Sequence, residues 1–286
     1  MDKTAIITDS IACLPPELAE EYHIHIVPGG AIVFEGKVYR DGLDISHNEA
    51  YHMLESSPEH FSTSATSPAE FLKAYKEASC HADAIIYIAL SSKLSALYSM
   101  ALAARESAIE ELPETRIEVF DSHTATAAQG FIALAAARVA KEGKNLAEGI
   151  AAAERVRDKV DLFYIFETIR YAYRTGRLPE SVANLGSKLN VKPMITIRSG
   201  SAFVCGIARN RERGIDHLLD LARQKVGKQP VHMAVLHTDA LNIAEGLKQR
   251  ISAEFNCVEL WLSQFSPIMA YATGSGVIGI AFYPDD

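Results

Sequence analysis

An unbroken apolar run at residues 84–90 constrains the fold of this chain more than any other stretch. The run, AIIYIAL, contains no charged position, which is typical of a strand buried on both faces of a sheet. Directly after it, Leu94, Leu97 and Ala101 recur at helical spacing. Short apolar strands alternate with helical segments along the chain, and this alternation predicts an α/β fold with a mostly parallel sheet.

Three serines, Ser91, Ser92 and Ser95, lie where this strand gives way to the helix. The start of a helix offers unpaired N–H groups and the positive end of the helix dipole. Hydroxyl groups beside it can therefore complete a site for a phosphate or a carboxylate. The simpler interpretation is that Ser91 or Ser92 only caps the helix, and this stretch alone favours that interpretation.

Asp-Ser pairs follow two of the predicted strands, at Asp9-Ser10 and at Asp121-Ser122. In a parallel sheet, ligands bind in the crevice beyond the carboxyl ends of the strands. We therefore expect hydroxyl side chains from several strand ends to line one polar crevice, beside a loop rich in Ser and Thr at residues 61–68. The expected crevice residues are Ser10, Ser64, Ser91, Ser95 and Ser122, with Thr63 close by.

The sequence changes character near residue 155, where we place a domain boundary. An N-terminal α/β domain is predicted for residues 1–155 and a C-terminal α/β domain for residues 156–286. Within the second, the sequence predicts a hairpin around Ser199-Gly200 and a strand–helix–strand unit over residues 232–262.

Composition excludes several classes of partner. The net charge of −8 disfavours nucleic acid or an anionic membrane surface as the main partner. The four cysteines are scattered and form no Cys-x-x-Cys, which argues against a zinc site and for a reducing compartment. No signal-peptide core and no apolar run of membrane-spanning length is present, so we expect a cytoplasmic protein.

The usual catalytic fingerprints are missing. The sequence contains no Gly-x-Ser-x-Gly elbow, no phosphate-binding loop and no Gly-x-Gly-x-x-Gly after the first strand. Acidic residues do not cluster at metal-ligand spacing, so no metal and no cofactor are expected. Hydroxyl groups at strand ends describe a binding site better than a catalytic one. Two alternatives stay open: a small-anion phosphotransferase that uses the Asp-Ser turns, and an interaction protein with a vestigial pocket.

Several motifs, each weak alone, are specific in their order and spacing, and together they resemble the DegV family of bacterial fatty-acid-binding proteins over nearly the whole chain. The motifs are, in order, Asp9-Ser10, Leu14-Pro15, Tyr39-Arg40-Asp41-Gly42, Thr63-Ser64, Ser91-Ser92-Lys93-Leu94-Ser95, Asp121-Ser122, Gly176-Arg177, Leu189-Asn190-Val191-Lys192-Pro193 and Arg209.

The sequence also departs from the family pattern. Ala96-Leu97 stands where the family usually has Gly-Thr, and Thr175 replaces the first glycine of a Gly-Gly-Arg. Near the C-terminus, residues 272–276 lack the histidine and the proline of the family's His-x-Gly-Pro-Gly, with Ala272 in the position of the histidine.

The resemblance implies a two-domain fold with a lipid tunnel between the domains. It implies that Thr63 and Ser95 hold the carboxylate of a long-chain fatty acid, with no catalysis by this chain itself. It further implies that the acid is presented to a separate fatty-acid kinase for acyl-phosphate formation, and that Arg177 and Arg209 help to dock this partner. Transient membrane contact during lipid exchange is compatible with such a role. The absence of this histidine is expected to affect presentation of the acid to the kinase more than binding of the acid.

Overall fold

The computed structural model describes residues 3–178 and 191–285 of the chain. Its strands are β1 (Thr4–Asp9), β2 (Ile24–Val27), β3 (Ala31–Phe34), β4 (Lys37–Arg40), β5 (Phe61–Ser64), β6 (Ala84–Ala89), β7 (Arg116–Asp121), β8 (Asp161–Ile165), β9 (Lys192–Arg198), β10 (Ser201–Ala208), β11 (Val231–His237), β12 (Cys257–Gln264) and β13 (Ile278–Pro284). Its α-helices are α1 (Pro16–Glu21), α2 (His47–Ser56), α3 (Pro68–Ser79), α4 (Leu97–Glu111), α5 (Thr126–Lys141), α6 (Leu146–Lys159), α7 (Arg170–Arg174), α8 (Arg211–Val226), α9 (Leu241–Glu254) and α10 (Pro267–Thr273).

The N-terminal sheet has four parallel strands in the order β2-β1-β6-β7. Every residue of β6 is buried, because strands cover both of its edges and helices cover both of its faces. The apolar run at residues 84–90 is thus an inner strand of a parallel sheet, as predicted. Local signals set the helix starts well: Ser46, Ser67 and Asn145 each cap a helix in a capping box.

A small antiparallel sheet, in the order β4-β3-β5, follows β2 in the chain. Residues 61–64, which we predicted as part of a loop, form its strand β5, so that prediction is wrong. The backbone of β5 pairs with β3, with Ile32 opposite Thr63. Phe61 packs into the apolar cluster beneath the sheet, and its ring stacks on Tyr271 with centroids 5.6 Å apart.

The C-terminal sheet has six strands in the order β10-β9-β8-β13-β11-β12. The hairpin of β9 and β10 is confirmed, and so is the strand–helix–strand unit, whose β11 and β12 run parallel. The other neighbours in this sheet are antiparallel. Residues 267–273 form α10, which was not predicted; Ser266 caps it and Pro267 is in its first turn.

One apolar core extends across both sheets. It includes Ile86 of the N-terminal sheet, Phe131 of α5, and Tyr164 and Trp261 of the C-terminal sheet. The boundary predicted near residue 155 falls inside α6, which packs on α5. Within the described residues, no helix is both long enough and apolar enough to cross a bilayer.

Candidate functional site

A cavity lies between the two sheets and is lined by residues from both halves of the chain. Its wall is mainly aliphatic and aromatic, with Leu90 and Leu97 on one side and Phe166, Ile195 and Ile197 on the other. An apolar cleft with few polar groups suits a ligand that is mostly hydrocarbon.

Thr63 and Ser95 are the polar side chains that the first half of the described chain contributes to this cavity wall. They come from separate elements: Thr63 lies on β5, and Ser95 lies just before α4. Both are half-buried. The structure therefore brings together the two hydroxyl groups that the resemblance assigns to a carboxylate, although the sequence distance between them is large.

The hydroxyl of Ser95 accepts a hydrogen bond from the Leu97 N–H at 3.3 Å. Its own proton meets no acceptor among the described residues. The residue at the N-cap position of α4 is Ala96, which offers no capping side chain. Capping of α4 by Ser91 or Ser92, the simpler interpretation of this stretch, is therefore absent, and the Ser95 hydroxyl instead accepts from the first N–H of the helix.

Thr63 is held by backbone pairing rather than by its side chain. Its position opposite Ile32 fixes it in the small sheet. Within the described part of the chain, its hydroxyl makes no side-chain hydrogen bond. A hydroxyl that is half-buried and uncommitted can donate to an oxygen anion in the cavity.

Ser64, Ser91 and Ser122 do not join Thr63 and Ser95 at the cavity wall. The Ser91 hydroxyl donates to the Gly200 carbonyl at 2.8 Å, and the Ser122 hydroxyl donates to the Thr124 carbonyl at 3.2 Å. Ser64 lies at the end of β5 and is exposed. The polar crevice expected from strand ends is reduced to one pair of hydroxyl groups, because the chain's own carbonyls take the protons of the two buried serines.

The first Asp-Ser pair has a structural role that its sequence did not reveal. Asp9 is buried and accepts hydrogen bonds from the Tyr87 hydroxyl at 2.8 Å, from the Gln129 amide at 3.0 Å and from the Leu90 N–H at 3.2 Å. Burial raises the pKa of Asp9 to about 6, against the lowering effect of these donors. The network fixes the backbone at Leu90, and Leu90 is part of the cavity wall.

Asp41 is a second buried carboxyl beside the cavity. Ser10 donates a hydrogen bond to it and accepts one from the Gly29 N–H at 2.8 Å. Burial raises the pKa of Asp41 to about 6, while the hydrogen bond from Ser10 acts in the opposite direction.

Helix α10 supplies a wall of the cavity that sequence reasoning missed. The lining residues that it contributes are Ile268, Met269, Tyr271, Ala272 and Thr273. Its start carries Ser266-Pro267, the same N-cap and first-turn pair that begins α3 at Ser67-Pro68. This pair is the sequence signal from which α10 could have been located.

The two arginines assigned to docking have different surroundings. Arg177 lines the cavity, and its Nη1 donates to the Thr175 carbonyl at 2.8 Å. Arg209 is exposed at the end of the hairpin. In the motif at residues 189–193, Leu189 and Asn190 lie outside the described residues, and Lys192 forms an ion pair with Glu167.

A polar opening adjoins the cavity and shares Leu94, Ser95 and Arg177 with it. The other residues that line it include Ser92, Lys93, Ser99 and Thr175. Across residues 3–178 and 191–285, no group of three or more His, Cys, Asp or Glu side chains could hold a metal ion.

Comparison with known proteins assigns the chain to a family. The family model described as "Uncharacterised protein, DegV family" matches residues 3–285. A DegV domain-containing protein of Caldanaerobacter subterraneus subsp. tengcongensis is 30% identical over 283 residues, which cover 99% of each chain.

Two solved structures are similar throughout. A DegV family protein from Thermus thermophilus, described by its fatty-acid binding, has a TM-score of 0.90 at 26% identity and covers 99% of this chain and 100% of its own. DegV of Bacillus subtilis, described as a fatty-acid-binding protein, has a TM-score of 0.89 at 28% identity and covers 100% of both chains. With the family model matched over almost its whole length, the chain belongs to the DegV family.

Proposed function

We propose that this protein binds one long-chain fatty acid in the cavity between its two sheets, with the carboxylate at Thr63 and Ser95. The observation that carries the proposal is the composition of the cavity wall. Among the described residues of the first half of the chain, Thr63 and Ser95 are the only polar side chains in a wall that is otherwise apolar. The fatty-acid binding of the relatives from Thermus thermophilus and Bacillus subtilis supports it.

The energetics separate the roles of tail and head. Burial of the tail contributes about 0.8 kcal/mol per CH₂ group. Each hydrogen bond to the charged head contributes roughly 1.5–3 kcal/mol. For a long acyl chain the sum over the tail is larger, so the tail sets the affinity. The two hydroxyl groups set the position of the acyl chain along the cavity and hold the carboxylate at the polar opening.

The protein acts as a carrier rather than as a catalyst. A phosphotransferase that used the Asp-Ser turns would need their carboxylates exposed to substrate. Asp9 is buried and accepts four hydrogen bonds from the protein, and the backbone N–H groups of Ser92 and His123 point at Asp121. These carboxylates organise the chain's own backbone, which favours binding over phosphoryl transfer.

Presentation of the acid to a separate fatty-acid kinase is the second part of the proposal. The opening beside Ser95 gives a partner access to the head of the ligand, and Lys93 and Arg177 give this opening positive charge. Arg209, exposed at the end of β10, is proposed as part of the docking surface. Ala272 lines the cavity, so the side chain missing from the family motif would have faced the bound acid.

Native mass spectrometry of freshly purified protein tests the carrier role. We expect a population whose mass exceeds that of the chain by one long-chain fatty acid, and the added mass should disappear after delipidation and return on incubation with oleic acid. A protein that neither retains nor takes up an acyl chain would support the vestigial-pocket alternative. Nucleotide hydrolysis by the isolated protein would support the phosphotransferase.

A further inference from the structure

Helix α5 connects the cavity to a network of charged side chains at its other end. Its N-cap residue, Ala125, lines the cavity, and Arg138 lies in its last turn. At about 1.5 Å per residue, Arg138 is roughly 20 Å along the helix from Ala125. Nη2 of Arg138 donates to Oε2 of Glu259 on β12 at 2.7 Å. Helix α5 packs on β1 of the N-terminal sheet and on β8 and β13 of the C-terminal sheet, and this ion pair adds a polar contact between α5 and β12 at the end of that interface.

His232, on β11, extends the network. Its Nδ1 is 2.6 Å from Oε1 of Glu259, and its Nε2 is 3.0 Å from Oδ1 of Asp285. Its ring lies parallel to the ring of Tyr283, with the centroids 4.4 Å apart. A carboxylate can only accept hydrogen bonds, so both ring nitrogens must carry a proton to satisfy both neighbours. The geometry therefore describes a buried imidazolium.

The groups around His232 agree with this protonation state. Burial disfavours its charged form, but the carboxylates of Glu259 and Asp285 outweigh burial and raise the pKa of His232 above its ordinary value. Burial likewise disfavours ionised Glu259, yet hydrogen bonds from His232 and Arg138 lower its pKa. The groove beside the ring is also lined by Tyr22 at the end of α1 and by Arg155 and Lys159 of α6.

We propose that Arg138, His232, Glu259 and Asp285 form a latch that holds the two sheets closed over the cavity, and that deprotonation of His232 loosens the latch and speeds release of the bound acid. The proposal rests on the proposed function, because it concerns the ligand of the same cavity.

The direction of the pH effect follows from the hydrogen bonds. A neutral imidazole has one N–H, so on deprotonation one of the two carboxylates faces a lone pair instead of a donor. Because the pKa of His232 is raised in the folded protein, the stabilisation is complete below the ordinary value of 6.5 and is lost as the pH rises through the raised value. Release should therefore become faster on the alkaline side. The structural connection in this proposal is α5, which runs from Arg138 in the latch to the cavity wall at Ala125.

The test measures how fast a fluorescent long-chain fatty acid leaves the loaded protein when excess albumin captures it. His232→Gln and Glu259→Gln remove the latch. Arg223→Gln is the matched control, because Arg223 pairs with Glu254 at the same distance of 2.7 Å but joins α8 to α9 within the C-terminal half. At pH 6.5, release from the latch variants should be about 2- to 30-fold faster than from the wild type, the range expected for coupling through packed elements. The control should match the wild type.

The pH profile separates a latch from a merely structural role. Release from the wild type should accelerate as the pH is raised above 6.5, whereas release from His232→Gln should not change over the same range. Asp285→Asn, at a half-exposed carboxylate, is the fallback where the buried substitutions lower the melting temperature below the assay temperature. It should shift the acceleration to lower pH.

Two results would overturn the proposal. If folded latch variants release the probe at the wild-type rate and with the wild-type pH profile, the latch proposal is wrong. The proposal of fatty-acid binding would be unaffected by that result. A wild-type protein that takes up no probe would overturn both the latch and the proposed function.

Discussion

Tyr164 and Thr126 share a hydrogen bond of 2.5 Å between the C-terminal sheet and the first residue of α5. Tyr164 lines the cavity with its ring, yet its hydroxyl is already paired. The hydroxyl therefore supports the wall of the cavity and is not available to hold a ligand.

Tyr164→Phe should destabilise the fold and leave the affinity for fatty acid nearly unchanged. The Thr126 hydroxyl would remain buried without its partner, which costs about 1–3 kcal/mol. Urea unfolding measures this loss, and calorimetric titration with oleic acid measures binding. In a double-mutant cycle with Thr126→Ala, the two losses should not add. A large loss of affinity in a stable Tyr164→Phe variant would instead place the hydroxyl on the ligand.

Substitutions at Arg177 and Arg209 should distinguish docking of the kinase from binding of the fatty acid. Arg209→Glu, on the exposed surface, should lower acyl phosphorylation by a fatty-acid kinase and leave the fatty-acid affinity unchanged. Arg177→Glu introduces a negative charge at the cavity wall, so it should weaken both. Phosphorylation with a kinase from a related bacterium, beside titration of each variant with the same acid, distinguishes the two effects. Unchanged phosphorylation of Arg209→Glu would remove this residue from the docking surface.

Asp41→Asn should change how stability depends on pH. The pKa of Asp41 is raised to about 6 from 3.8, so between these values the folded protein binds more protons than the unfolded chain. This carboxyl therefore lowers the free energy of unfolding as the pH rises from about 4 to 6, and its effect is constant above that range. Relative to the wild type, Asp41→Asn should gain about 1–3 kcal/mol across this interval, given 1.36 kcal/mol per pKa unit.

Urea unfolding of both proteins at several pH values measures that gain. Asp44→Asn is a suitable control, because Asp44 is a surface residue paired with Arg40, and its pKa is lowered to about 2 by that pair. Parallel curves for Asp41→Asn and the wild type would mean that Asp41 does not titrate in this range.

Signals close in sequence predicted much of the fold. The apolar run at residues 84–90 forms an inner strand, and the helical spacing that includes Leu97 and Ala101 correctly marks α4. Thr63 and Ser95 were assigned from the family resemblance, and both line the cavity.

Contacts between distant residues explain what the sequence did not reveal. Asp9 meets Gln129 across 120 positions, and His232 meets Asp285 across 53. Nothing near Asp9 indicates that its carboxylate is used inside the protein. The strand β5 was mistaken for a loop because its hydroxyl-rich sequence has weak strand character of its own and is held by pairing with β3.

The central claim is that Thr63 and Ser95 bind the carboxylate. Both hydroxyl groups line the cavity, and neither donates to another described residue. The measurement that tests this most directly is calorimetric titration of the wild type, Thr63→Ala and Ser95→Ala with a long-chain fatty acid and with its methyl ester. Ser91→Ala is the matched control, because this hydroxyl donates to Gly200 instead.

Each of Thr63→Ala and Ser95→Ala should lose about 1.5–3 kcal/mol of binding free energy for the acid, the value of a hydrogen bond to a charged group. Both variants should bind the ester as the wild type does, and Ser91→Ala should bind both ligands normally where its melting curve shows a folded protein. Equal losses for acid and ester in folded Thr63→Ala and Ser95→Ala would contradict the account, because the hydroxyl groups would then support the cavity without contacting the carboxylate.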